Sequence, residues 1–366
     1  MAESTPFLPL WASPPGRTIQ RRLDELGYDM PEFASQLGTS VQVVSGLLDG
    51  REMITVDIAR RLSLVIGASA EFWVNRDCQY RDDLIRVETD QWLEDLPVRE
   101  MAKFGWISPE ASWASRADAC LSFFGVKDVA EWRHTYEPML AASRMRISPT
   151  VPTRNAAVAA WLRKASTEAA AADTAQWNAA LLRDSLAQVK ILTRSKDPRA
   201  FLPRLRDLLA SAGVALVVQK ALPGCPVSGA ALFLSPDRAM VAVSGRFLAD
   251  DQLWFTVMHE IAHLLLHGPG QAILDDPCSP DLFDSAEERE ANQFAADTLL
   301  PPGIRARARA RGLTPTPRSV IALAREAGVA PGIVVGQLQH DGLVRPDQLN
   351  SLKRRFQWIG ASLGTA

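Results

Sequence analysis

Residues 254 to 268 read WFTVMHEIAHLLLHG, and this stretch constrains the chain more than any other. It lies in a strongly helical segment and carries three of the five histidines. On an α-helix, residues four apart sit one turn from each other, about 40° apart around the axis. His259 and His263 therefore share a face and can reach one metal ion together. Glu260 follows the first histidine, so it points beside such an ion, where a general base acting on a metal-activated water belongs. The competing reading is a core helix whose histidines are satisfied by neighbours. Five histidines in 366 residues make an accidental HExxH rare, at roughly a few per thousand chains of this composition.

A catalytic zinc with an open position needs a third protein ligand. His267 lies on the same face but eight residues from His259, roughly 12 Å along the axis, which is too far to close the site. It sits in the last turn before Gly268, where a histidine can bond free carbonyls and complement the helix dipole. The following acidic helix, SAEEREANQFAADTLLPP, is the better source. Ser285 and Glu288 have capping-box spacing, which gives Glu288 a structural task. Glu290 stands at the border of the apolar face, and the small Ala291, Ala295 and Ala296 let this helix approach the histidine helix closely. Glu290 is the expected third ligand, with Glu287 in reserve. Zinc is the leading metal; manganese and iron suit the same donors.

The four cysteines, Cys78, Cys120, Cys225 and Cys278, form no CxxC pair, so free thiols in a reducing compartment are expected and any metal must rely on histidine and carboxylate. No apolar run approaches the roughly 20 residues of a membrane-spanning helix, and the N-terminus lacks a secretory pattern, so a cytoplasmic protein without membrane partners is expected. A net charge of −2 gives no global argument for nucleic acid.

The expected fold is mainly α with a small mixed β-sheet. Residues 1–16 are an N-terminal extension. Residues 17–85 form five short helices, with glycines and cap residues (Asp29, Thr39 or Ser40, Gly50) at a helix-turn-helix spacing. Residues 86–195 are a helical, tryptophan-rich middle region, with breaks expected near Pro109, Pro138 and 148–153. Residues 196–312 contain three short strands, GVALVVQKAL, GAALFLS and RAMVAVSG, ahead of the histidine helix. Residues 313–366 read as two or three short helices.

Several segments carry a family resemblance. FWVNRDCQYRDDL, VSGAALFLS, WFTVMHEIAHLLLHG and EREANQFAADTLLPP resemble proteins joining an XRE-type helix-turn-helix to an ImmA/IrrE zinc metallopeptidase domain. In that comparison His259 and His263 match the metal histidines, Glu260 the catalytic glutamate and Glu290 the glutamate before Ala-Asn. The resemblance implies a zincin-like α+β domain and a peptidase acting on a regulatory protein such as a repressor. A strand edge at 228–245 could hold the substrate as an added strand. No oxyanion-stabilising residue stands out; His340 is available, but QLQHDG reads as a helix end.

Residues 17–80 resemble the XRE helix-turn-helix of HigA-like antitoxins. Docking of the 39–49 helix in the major groove makes Ser40, Gln42, Val43 and Ser45 the candidate base readers, with Arg51 on phosphate. Between Arg17 and Arg61, however, seven acids face six arginines and no lysine, so DNA affinity lacks a net local charge. A homodimer would double the contacts. RARARARG at 305–312 spreads its charge around a helix and reads as a solvated face. Two functions follow: a DNA-binding regulator that is also a zinc endopeptidase, or an antitoxin-like or sensing transcription factor whose metal domain cleaves nothing.

Overall fold

The structure is a computed structural model that describes residues 11–109, 112–144, 155–268, 273–275, 285–310 and 315–366. The expected break at 148–153, Pro277, Pro280, Cys278 and the first ten residues lie outside the described residues. The chain divides into two compact units, 1–94 and 95–366.

The first unit holds α1 (Gly16–Leu26), α2 (Met30–Leu37), α3 (Val41–Asp49), α4 (Val56–Ile66) and α5 (Ala70–Asp95). Its short helices are delimited by local chemistry. The side chains of Asp29, Ser40 and Thr55 accept from the backbone N–H groups of Glu32, Val43 and Ile58. Gly38 and Gly50 close α2 and α3 in the left-handed conformation, where a Cβ is costly. Ile19, Leu23, Phe33, Leu37, Val44, Leu47, Leu62, Ile66 and Trp73 are buried together, and the Trp73 indole N–H donates to Gly67 O at 3.0 Å. Gly67 to Ser69 separate α4 from α5, and α5 runs on uninterrupted past the expected boundary at residue 85 to Asp95.

The second unit begins with α6 (Val98–Lys103), α7 (Trp113–Phe124), α8 (Val129–Arg144), α9 (Asn155–Ala171), α10 (Ala179–Leu192) and α11 (Pro198–Ala210). Pro138 does not break the chain as expected; it lies inside α8. A proline removes one N–H and strains one turn, and here the helix continues through it. Helix α9 ends at Ala171, and Asn178 starts α10 by accepting from Ala180 N and Leu181 N.

The three expected strands are β1 (Val214–Val218), β2 (Gly229–Ser235) and β3 (Arg238–Val243). They are followed by α12 (Asp250–Leu266), the short β4 (Ile273–Asp275) and α13 (Ala286–Leu299). The sheet order is β1-β3-β2-β4, with β1 parallel to β3 and the other pairs antiparallel. The region expected to be a free substrate edge is therefore mostly interior: β3 lies between β1 and β2, and Gly229 to Ala231 of β2 pair with β4. A three-residue strand beyond the helix carries too little periodicity to be seen in sequence.

Helix α12 packs against β2, β3 and α13, and its residues from Asp250 to Leu265 are buried apart from Gln252 and Phe255. Then come α14 (Pro302–Ala310), α15 (Pro317–Ala327), α16 (Pro331–His340), a 3-10 turn at Asn350–Leu352, and β5 (Phe356–Ile359) paired with β6 (Ser362–Thr365). The tail thus ends in a hairpin, not a helix. Its Gly360, at φ 61°, turns the chain between two partly apolar strands. This tail anchors the start of α12: Asp250 Oδ1 accepts from Arg354 N at 3.0 Å, and Lys353 Nζ lies 2.6 Å from Asp251 Oδ2. Among the described residues no single helix is long and apolar enough to cross a membrane.

Candidate metal centre

Burial of α12 on nearly every side fixes the direction of its polar side chains. His259, Glu260 and His263 are all at most 4% exposed. The Nε2 atoms of His259 and His263 converge to 2.9 Å, as one-turn spacing on a helix allows. Helix α13 supplies the third group, and it is Glu288. Its Oε2 lies 3.2 Å from His259 Nε2 and its Oε1 3.5 Å from His263 Nε2. Among the described residues these three form the one group of His, Cys, Asp and Glu side chains whose donor atoms all fall within 4.8 Å of one another.

The expectation of Glu290 as third ligand is corrected by this geometry. Glu290 faces away from the pair, with a 63% exposed side chain, and its Oε2 lies 3.3 Å from His267 Nε2. Glu287, the reserve, is not in the converging group either. The capping-box spacing concealed Glu288. Its backbone N–H does donate to Ser285 Oγ at 3.1 Å, but its carboxylate points to the histidines. Helical spacing held the signal: Glu288 precedes Ala291 by three residues and Ala295 by seven, and both alanines are fully buried. The face that brings α13 close to α12 is therefore the face of Glu288.

The donor set fits a metal ion. Two bonds of about 2.0–2.1 Å at a tetrahedral angle place their donor atoms about 3.3 Å apart, close to the three spacings above. Burial pushes the Glu288 pKa up, but hydrogen bonds with His259 and His263 outweigh it and hold the carboxyl well below the usual range. The carboxylate is the form in which such a group ligates a metal.

Glu260 is fully buried one residue from His259, and β2 sets its position. A Cβ added at Gly229 would overlap Glu260 Oε1 and come within 2.7 Å of both Glu260 Cδ and Thr256 Cγ2. Glycine at the start of β2 lets strand backbone lie directly on the carboxylate. His267 is the C-cap of α12, its N–H bonded to His263 O, so it ends the helix as expected, and its Nδ1 lies 3.0 Å from His263 Nδ1. His340 ends α16 with a side chain 84% exposed.

In the first unit, α3 presents Gln42 to solvent and Ser45 partly so, whereas Val43 packs against the module's core. Ser40 is exposed but spends its hydroxyl on the α3 N-cap. Arg51, expected on phosphate, lies 2.5 Å from Asp49 Oδ2. Arg22 pairs with Glu25 and Arg61 with Asp57, so the acids noted in the sequence do offset the arginines. In the second unit Arg305 pairs with Asp297, Arg307 with Glu326 and Arg309 with Asp341, so these three arginines are tied down within the unit, and Arg311 lies outside the described residues.

Comparison with known proteins agrees with both units. Residues 226–336 match the family of IrrE N-terminal-like domains, Peptidase_M78, a span that contains β2, the histidine helix and Glu288. Over 61 residues the chain is 41% identical to an uncharacterized HTH-type transcriptional regulator, YddM, of Escherichia coli (strain K12). That match covers 17% of this chain, which spans just under two thirds (65%) of that relative. Both matches fit one arrangement, in which an N-terminal helix-turn-helix module is fused to an ImmA/IrrE-type Peptidase_M78 domain.

Proposed function

We propose that the chain is a DNA-binding regulator whose second unit is a zinc-dependent endopeptidase acting on a protein substrate, such as a repressor. The observation that carries this reading is the buried group of His259, His263 and Glu288 with the Glu260 carboxylate beside it. His259 Nε2, His263 Nε2 and a Glu288 oxygen would hold the ion. Bound there, zinc supplies a Lewis acid that lowers the pKa of water and polarises a carbonyl. Glu260 takes a proton from the attacking water and returns it to the leaving amine. The bare backbone of Gly229, at the start of β2, lies against its carboxylate from the strand side. Because β4 covers Gly229 to Ala231, an added substrate strand would pair with Leu232 to Ser235 or replace β4.

The DNA reading is supported by the exposed Gln42 on α3 and by the likeness to an HTH-type regulator. Gln42 suits adenine through two hydrogen bonds, and a homodimer would compensate for the internally paired arginines. A second reading, a metal-dependent sensor that cleaves nothing, draws on the burial of the same four residues, none more than 6% exposed.

The two are separated by co-expressing the protein, or its Glu260→Gln variant, with the proteins encoded beside it. The peptidase reading expects a neighbour that is cut only by the parent. Bound zinc with no Glu260-dependent cleavage of any candidate would leave the sensor. For the head, Gln42→Ala should reduce sequence-specific DNA binding, and unchanged binding would reject α3 as the reader.

A further inference from the structure

The last histidine of α12 and the glutamate expected on the metal make a contact of their own. His267 Nδ1 lies 3.0 Å from His263 Nδ1, and His267 Nε2 lies 3.3 Å from Glu290 Oε2. The His267 side chain is only 13% exposed, which shelters its bond with His263, whereas the bond with the 63% exposed Glu290 lies at the surface. A neutral imidazole that offers Nε2 as a donor atom carries its proton on Nδ1. His263 turns Nε2 toward His259 and Glu288, so its Nδ1–H faces His267. His267 Nδ1 must then accept, which leaves its own proton on Nε2, facing the Glu290 carboxylate. When the two Nε2 atoms hold a metal, one tautomer of His263 and one of His267 satisfy both contacts between His263 Nδ1 and Glu290.

We infer that Glu290 and His267 form a hydrogen-bonded relay that fixes the tautomer and ring orientation of His263, and so act as positioning residues for the metal centre. The inference rests on the metal reading above. His267 does not reach the ion; it supplies the acceptor that a histidine ligand needs behind it. The exposed Glu290 holds the far nitrogen of His267. Spacing of four residues puts His259, His263 and His267 in one row along the helix, and this row extends from the buried site to the surface.

The test is zinc affinity of the full chain, measured by chelator competition, with the melting temperature of the metal-free protein followed in parallel. His267→Phe keeps a ring but no acceptor and should weaken zinc roughly 10- to 100-fold. His267→Asn, whose amide oxygen falls near the position of Nδ1, should restore most of that loss. Glu290→Ala should weaken zinc less than His267→Phe, and Glu288→Ala far more than either. Zinc affinity unchanged in His267→Phe, or equally weakened in His267→Asn, would overturn the relay. Zinc lost as completely in Glu290→Ala as in Glu288→Ala would return Glu290 to the metal and also overturn it. A parent that binds no zinc would instead refute the metal reading itself.

Discussion

Replacing Gly229 with alanine perturbs Glu260 without touching any of the three converging donors. The new Cβ would lie 2.7 Å from Glu260 Cδ, about 0.7 Å inside the 3.4 Å at which ordinary contact begins. Neither side yields easily. Gly229 is held in the sheet opposite Val243 and Asp275, and Glu260 is fully buried in α12. Overpacking of this kind costs roughly 1–3 kcal/mol, and melting temperature falls roughly 2–4 °C per kcal/mol in domains of this size class. A catalytic group displaced by close to 1 Å loses about a hundredfold in rate. Gly229→Ala should therefore melt earlier, retain its zinc, and cleave its substrate about a hundred times more slowly. Thermal melts, bound-zinc analysis and the co-expression cleavage assay read the three effects. A variant as stable and as active as the parent would show that β2 does not set the position of Glu260.

Asp250 predicts a pH effect. Burial raises its pKa from 3.8 to about 6, more than the Arg354 backbone N–H lowers it. A folded-state pKa above the unfolded value contributes stability below pH 3.8 that is lost as pH rises through about 6. That is roughly 3 kcal/mol, so Asp250→Asn should gain on the parent in melting temperature between pH 4 and pH 7; a constant difference would reject the assignment. Lys353→Ala leaves Asp251, 4% exposed, without the ammonium 2.6 Å away, and should cost roughly 3–5 kcal/mol in denaturant melts. The double variant with Asp251→Asn should recover part of it. Ser285→Ala removes the acceptor of the Glu288 N–H and should cost about 1 kcal/mol, with zinc affinity reduced by less than roughly tenfold.

Where local chemistry determines structure, the sequence is readable. Asp29, Ser40 and Gly50 delimit α2 and α3 because a side-chain oxygen or a missing Cβ acts within three residues. His259 and His263 converge because helical period alone brings them together. The third donor depends on how α13 lies across α12, and the sequence offered two competing signals for it. The capping-box spacing used up Glu288 on paper, although a cap needs only its backbone N–H. The alanines at 291 and 295 marked the correct face. His267 read as a helix end and is one, but its ring contact depends on Glu290 from another helix. β4 and the terminal hairpin were missed because their strands are three or four residues long, and partners distant in sequence fix them.

The central claim is that two histidines and Glu288 hold a metal beside Glu260. X-ray absorption at the zinc edge of the zinc-loaded chain, and of its Glu288→Ala variant, tests it most directly. The parent should show two imidazole nitrogens with oxygen donors at about 2.0–2.1 Å, and the variant should lose stoichiometric zinc. A sulfur shell at about 2.3 Å, or an unchanged spectrum at full occupancy in Glu288→Ala, would contradict the account.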